Sequence, residues 1–168
     1  MNFSEPLIAE VKHEAATTRR LLERVPQDSL PWQPHEKSMT LGRLAAHIAG
    51  LPLLLAAALT LDEYDTNDLR AQSPSADSVS SILEAFDKNN AQALESFKTL
   101  SDERLLTPWR YRNGEQLLFE MPRLAVIRFV VLNHIVHHRG QLSVYLRLRD
   151  VPLPSVYGPT ADESPFLD

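Results

Sequence analysis

His134 and His138 stand four residues apart in the stretch Val131-Leu-Asn-His-Ile-Val-His-His-Arg-Gly-Gln-Leu142. On a helix that spacing stacks two imidazoles one turn apart on one face, which is half of a metal site. Advancing about 100° per residue from His134 places Ile127, Val130, Val131, His138, Gln141, Leu142 and Tyr145 on the same stripe. That stripe is expected to face the core, with His137 at its edge, flanking the pair. His47 falls on a second apolar stripe with Leu44, Ile48 and Leu51, so it too is expected to point inward. A lone inward histidine is more often a satisfied core residue. Two further inward histidines on another helix favour a shared ligand set. His13 and His35 fall outside any apolar stripe and are expected to be exposed.

Three imidazoles without a fourth protein ligand form the pattern of a catalytic rather than a structural metal site. The open position can lower the pKa of a bound water to about 7, or bind a thiol as its thiolate. Gln141, one turn past His138, is a candidate to contact a ligand or a metal-bound water; satisfying buried backbone groups is the competing role. Arg139 points about 100° away from His138 and is expected to pair with a carboxylate or a partner helix. Tyr145 is expected in the core with its hydroxyl near the pocket rim. No serine or cysteine nucleophile signature accompanies the histidines, which excludes a hydrolase triad.

Composition narrows the classes further. The 168 residues suit one domain with a sizeable core, and 43% hydrophobic residues mark it as globular. There is no cysteine, so disulfides and protein thiolate ligands are excluded and any metal must be held by His, Asp or Glu. A net charge of −5 argues against general nucleic-acid binding. No signal peptide is visible at the start, and the apolar run 51–61 is too short to span a bilayer. A cytoplasmic location, no membrane partner and a small-molecule substrate are the resulting expectations.

The elements that position these residues follow from periodicity. A first helix is expected from an N-cap at Ser4 to Pro26, with Leu7, Val11, Ala15, Thr18, Leu21 and Leu22 inward. Residues 26–37 form a proline-rich connection in which Trp32 plugs the end of the core. The second helix begins at a Ser38 or Thr40 cap, with a kink or break at Gly50 and Pro52. Residues 62–77 read as a solvated linker, since their acidic spacing fits no calcium loop. Asp77 is expected to cap a third helix with Ile82, Leu83, Phe86, Ala93, Leu94 and Phe97 inward. Ser101 caps a short turn, and Asn113-Gly114 signals a type I′ hairpin. The fourth helix occupies residues 122–149, and the proline-rich tail 151–168 either drapes over the bundle or frays.

Three segments carry a family resemblance: Ser38-Met-Thr-Leu-Gly-Arg-Leu-Ala-Ala-His47, His134-Ile-Val-His-His-Arg-Gly-Gln141 and Tyr157-Gly-Pro-Thr-Ala-Asp-Glu163. With the helix order and the hairpin before the last helix, the chain resembles the DinB/YfiT-like family over essentially its whole length. It does not resemble the translesion polymerase of the same name, which is longer and of mixed α/β pattern. The resemblance implies an all-α four-helix bundle of up-down-down-up topology, commonly dimeric. It also implies a divalent metal, zinc or nickel, on His47, His134 and His138. Relatives include transferases and an isomerase that use low-molecular-weight thiols, which here would have to come from outside the chain. The competing expectation is a non-catalytic metal-binding stress-response protein with the same fold. A second apolar row on helix 4, Phe129, Leu132 and Val136, fits the expected homodimer. The arginines of that helix are candidates to receive a substrate carboxylate if any reaches the pocket mouth.

Overall fold

The computed structural model describes residues 3–166. Four long helical segments make the bundle: α1 (Ser4–Leu22), α2 (Leu41–Thr60), α4 (Val79–Ser96) and a last one that begins as α6 (Arg123–Ala125) and ends as α7 (Asn133–Arg147). Between them lie β1 (Glu63–Asp65), α3 (Thr66–Ala71), α5 (Asp102–Leu105), β2 (Pro108–Asn113) and β3 (Gln116–Pro122). The direction of each long helix can be read from its packing. One half of the core holds Leu7 and Val11 of α1, Leu51 to Leu59 of α2, Ala93 of α4, and Val126 to Ile135. The other half holds Leu21 and Leu22, Leu41 to Ala49, Ile82 and Phe86, and Leu142 and Leu146. Hence α1 and the last helix run one way and α2 and α4 the other, which is the up-down-down-up order.

Sequence chemistry sets the helix starts. Thr40, Ser78 and Ser101 each accept a hydrogen bond from the backbone N–H three residues on, at the starts of α2, α4 and α5. The cap of α4 is thus Ser78, not Asp77. Ser4 is the first helical residue rather than a cap, and its hydroxyl donates to Asp102 instead. α1 ends at Leu22, ahead of Pro26. α2 continues through Gly50 and Pro52 as one helix of 20 residues. By length and hydropathy α2 would suffice to cross a membrane, but 83% of its most apolar window is buried within the bundle.

The last helix departs most from a regular reading. Residues Val126–Leu132 are π-helical, a wider turn that often lies beside functional sites. Its buried ridge is Arg123, Ile127, Val131, Ile135, Arg139, Leu142 and Leu146. The expected core stripe was centred on the histidines, but the true centre runs through Ile135, Arg139 and Leu142. Two buried arginines disguised it. Arg123, 1% exposed, donates to the carbonyls of Ala58 and Leu61 and to Asp62, closing the C-terminus of α2. Arg139, 2% exposed, pairs with Glu14 of α1 at 2.7 Å and donates to the Thr18 hydroxyl. The row Phe129, Leu132 and Val136 is split: Phe129 is 68% exposed, Val136 half-buried and Leu132 in the core.

Residues 62–77 are not a plain solvated linker. β1 pairs in parallel with β2, Tyr64 opposite Tyr111, and β2 pairs antiparallel with β3. Asp65 ties this excursion down, accepting from the backbone N–H groups of Asn67 and Gly114. In the hairpin only Gly114 has positive φ, at 58°, so the turn is not type I′, which needs two such residues. The tail drapes over α1 and α7. The Tyr157 hydroxyl donates to Glu14 at 2.8 Å, Asp162 pairs with Arg147, and Glu163 pairs with Arg20.

Candidate metal centre

α2 packs against the last helix, and this contact brings His47 to His134 and His138. One ring nitrogen from each histidine lies within 4.8 Å of the others. Ring centroids are 4.6 Å apart for His47 with His138 and for His134 with His138, and 5.1 Å for His47 with His134. Among the described residues no carboxylate or further histidine joins this group. His137 is exposed and meets the His138 ring at an angle of 67°, and His13 and His35 are exposed elsewhere.

The donor set fits a divalent ion. The Nε2 atoms of His47 and His134 face each other at 3.3 Å. Two nitrogens bound at about 2.0–2.1 Å to one tetrahedral ion are about 3.3–3.4 Å apart. The same contact can also be an N–H to N hydrogen bond when one ring carries the proton. Burial, followed by the neighbouring His138, lowers the pKa of His47 to about 4. Burial and the charges of His138 and His47 do the same to His134, also to about 4. Burial lowers His138 as well, against the opposing hydrogen bond of Gln141. All three are therefore neutral at pH 7, the form that offers a lone pair.

Gln141 was expected on the inward stripe. It is exposed, and its Oε1 accepts from His138 Nδ1 at 2.7 Å. This fixes the His138 tautomer, with the hydrogen on Nδ1 and the Nε2 lone pair free. Tyr145 meets Trp32 edge-on at 5.7 Å beside the half of the core that holds Leu142 and Leu146, where Trp32 is half-buried, and it does not line the cavity.

A cavity of about 540 Å³ opens on His47 and His134. Its outer wall is the excursion between α2 and α4, through Thr66, Leu69, Arg70, Ser73 and Pro74, with Tyr111 from β2. Burial raises the pKa of Tyr111, so its hydroxyl stays protonated and can donate. Arg43, one turn before His47, completes the polar lining. None of the arginines of the last helix reaches it. Arg123 and Arg139 are internal, Arg128 pairs with Glu10 and Arg147 with Asp162, and Arg149 lies over Trp32. Sequence reasoning missed Arg43, Arg70 and Tyr111. The spacing of Arg43 and His47, four residues apart, was a readable signal for the first. Arg70 and Tyr111 are brought in by the pairing of β1 with β2, which no local pattern announces.

Comparison with known proteins agrees with this fold. The uncharacterised protein YrdA of Bacillus subtilis (strain 168) is 28% identical over 155 residues, covering 89% of this chain and 85% of YrdA. A DinB-like protein of Bacillus cereus ATCC 10987 shares the fold, with a TM-score of 0.72, 24% identity, and 91% and 97% of the two chains covered. A DinB-like protein of Bacillus subtilis (YjoA) does so with a TM-score of 0.69, 16% identity, and 95% and 99% covered. Residues 1–165 match the DinB family as a whole. With the match running the length of the chain, the protein belongs to the DinB family.

Proposed function

We propose that this protein is a metal-dependent enzyme acting on a small molecule, with His47, His134 and His138 as the ligands of one divalent ion. The observation that carries the reading is a three-imidazole cluster, held neutral at pH 7 by burial, two of whose rings, His47 and His134, line a 540 Å³ cavity. Zinc or nickel at such a site supplies Lewis acidity, lowering the pKa of a bound thiol or water. The chain's residues do the rest. Burial keeps the imidazoles deprotonated, and Gln141 holds His138 in the ligating tautomer. The Tyr111 hydroxyl offers a proton-bearing donor at the cavity wall, and Leu69 and Pro74 give the cavity an apolar side that limits water. With no cysteine in the chain, a thiol nucleophile must be a low-molecular-weight co-substrate.

The test begins with metal content. Purified protein should carry about one divalent ion per chain, and the H47A/H134A/H138A variant should carry none. Unchanged content in that variant sinks the reading. With cobalt in the site, titration with 2-mercaptoethanol should produce a sulfur-to-metal charge-transfer band. Activation of water should instead give a pH-dependent spectrum near neutrality. No response to thiol or pH means a closed fourth position, and the non-catalytic metal-binding role would replace the enzyme.

A further inference from the structure

The cavity beside the histidine cluster is positively charged in an acidic protein. The chain has 22 Asp and Glu against 17 Lys and Arg, yet no carboxylate among the described residues lines this cavity. Two guanidinium groups do, those of Arg43 from α2 and Arg70 from α3. Neither side chain makes an ion pair or hydrogen bond among the described residues. Most other arginines differ: Arg19, Arg20, Arg104, Arg110, Arg112, Arg123, Arg128, Arg139 and Arg147 pair with carboxylates, Arg149 bonds to Ser29, and Arg24 alone shares the lack of such a partner among the described residues.

We infer that Arg43 and Arg70 form an anion subsite that selects substrates carrying a carboxylate or phosphate group next to the reacting atom. The inference rests on the cavity being the substrate site proposed above. A guanidinium presents a planar fork of N–H donors that matches either oxyanion, and it stays charged throughout the physiological range. Arg43 sits one helical turn from His47, so an anion held there places the adjacent atoms of its molecule at the histidine cluster. Arg70 comes from a separate element, so the two forks are fixed independently by the bundle and by the wall. Tyr111 and Ser73 add hydroxyls to the same cavity, and Leu69 and Pro74 give the carbon skeleton an apolar surface. A cationic substrate would meet two like charges with no carboxylate to offset them, which rejects it.

The experiment is calorimetric titration of the protein, as purified and after metal removal with EDTA, with succinate and with inorganic phosphate. Butane-1,4-diol and butane-1,4-diamine serve as uncharged and cationic controls of succinate's length. At least one of the two anions should bind in both preparations, and both controls should fail. The preferred anion identifies the substrate group. Arg43→Gln and Arg70→Gln should each weaken binding about tenfold or more, and the double variant should abolish it. Both side chains are exposed, so melting temperatures should not change. Binding that vanishes with the metal but ignores both substitutions would overturn the inference, because the anion would then be a metal ligand. Equal binding of anion and diol would overturn it as well. Metal content is measured on the same samples. Anion binding that survives in a protein unable to hold metal would leave the subsite standing and remove the metal reading alone.

Discussion

Acid should release the metal far more reluctantly than three ordinary histidines would. A proton competes with the metal for each imidazole, so apparent affinity falls by the factor 1 + 10^(pKa − pH) per ligand. For an ordinary histidine of pKa about 6.5, moving from pH 7 to pH 5 costs about 25-fold, and three together cost about 10⁴-fold. Here His47 and His134 are lowered to about 4. Between pH 7 and 5 each loses only about a tenth of its affinity for metal, by the same relation. His138 is also lowered. Even at the ordinary value it would add about 25-fold, so the whole site should lose no more than about 30-fold. The assay is direct titration with cobalt, followed by its visible absorption, at pH 7, 6 and 5. A loss of a thousandfold or more by pH 5 would refute the claim that burial keeps these imidazoles neutral. Stability of the metal-free protein should move in step. Folded-state pKa values below the unfolded ones mean the unfolded chain binds more protons between about pH 6.5 and 4. The histidines' contribution to the stability of the metal-free protein should therefore be lost as pH falls through that window, with the ion-paired Asp162 and Glu163 adding further loss below it.

Two substitutions test the supports of the site. Arg139→Met strands the Glu14 carboxylate in the bundle, with the Tyr157 hydroxyl still donating to it, and should cost about 3–5 kcal/mol in urea denaturation. The E14L/R139M pair should recover most of that, and a loss under about 1 kcal/mol for the single variant would show the pair to be dispensable. Gln141→Ala should lower cobalt affinity about tenfold or more without changing the melting temperature, because the side chain is exposed and, among the described residues, bonds to His138. Unchanged affinity would mean that His138 needs no second partner to ligate.

The legible part of this protein was whatever depends on residues close in sequence. The four-residue spacing of His134 and His138, the Thr40 and Ser101 caps and the Asn113-Gly114 hairpin are local, and the fold honours them. The inward phase of the last helix was misjudged because its ridge contains Arg123 and Arg139, which look like surface until their partners are known. Those partners, Asp62, Glu14 and the carbonyls closing α2, lie from 61 to 125 residues away. The cavity wall was illegible for the same reason. β1 is three residues long, and only its pairing with β2, more than 40 residues on, turns an acidic stretch into one side of a pocket.

That wall differs from the bundle in how firmly it is held. α3 has no buried residue; it is held by the Asp65 hydrogen bonds, the bonds from Thr66 to Asn113 and from Gln72 to the Tyr64 hydroxyl, the packing of Leu69 on the core and the three-residue pairing of β1, whose Tyr64 is buried. Segments with so little apolar burial open at free energies far below that of global unfolding. The histidines, by contrast, ride on helices whose opening would disrupt the core. Amide hydrogen exchange should therefore be faster in α3 than in the helices that carry the histidines. The shape of the cavity and the geometry of the histidine cluster can change independently.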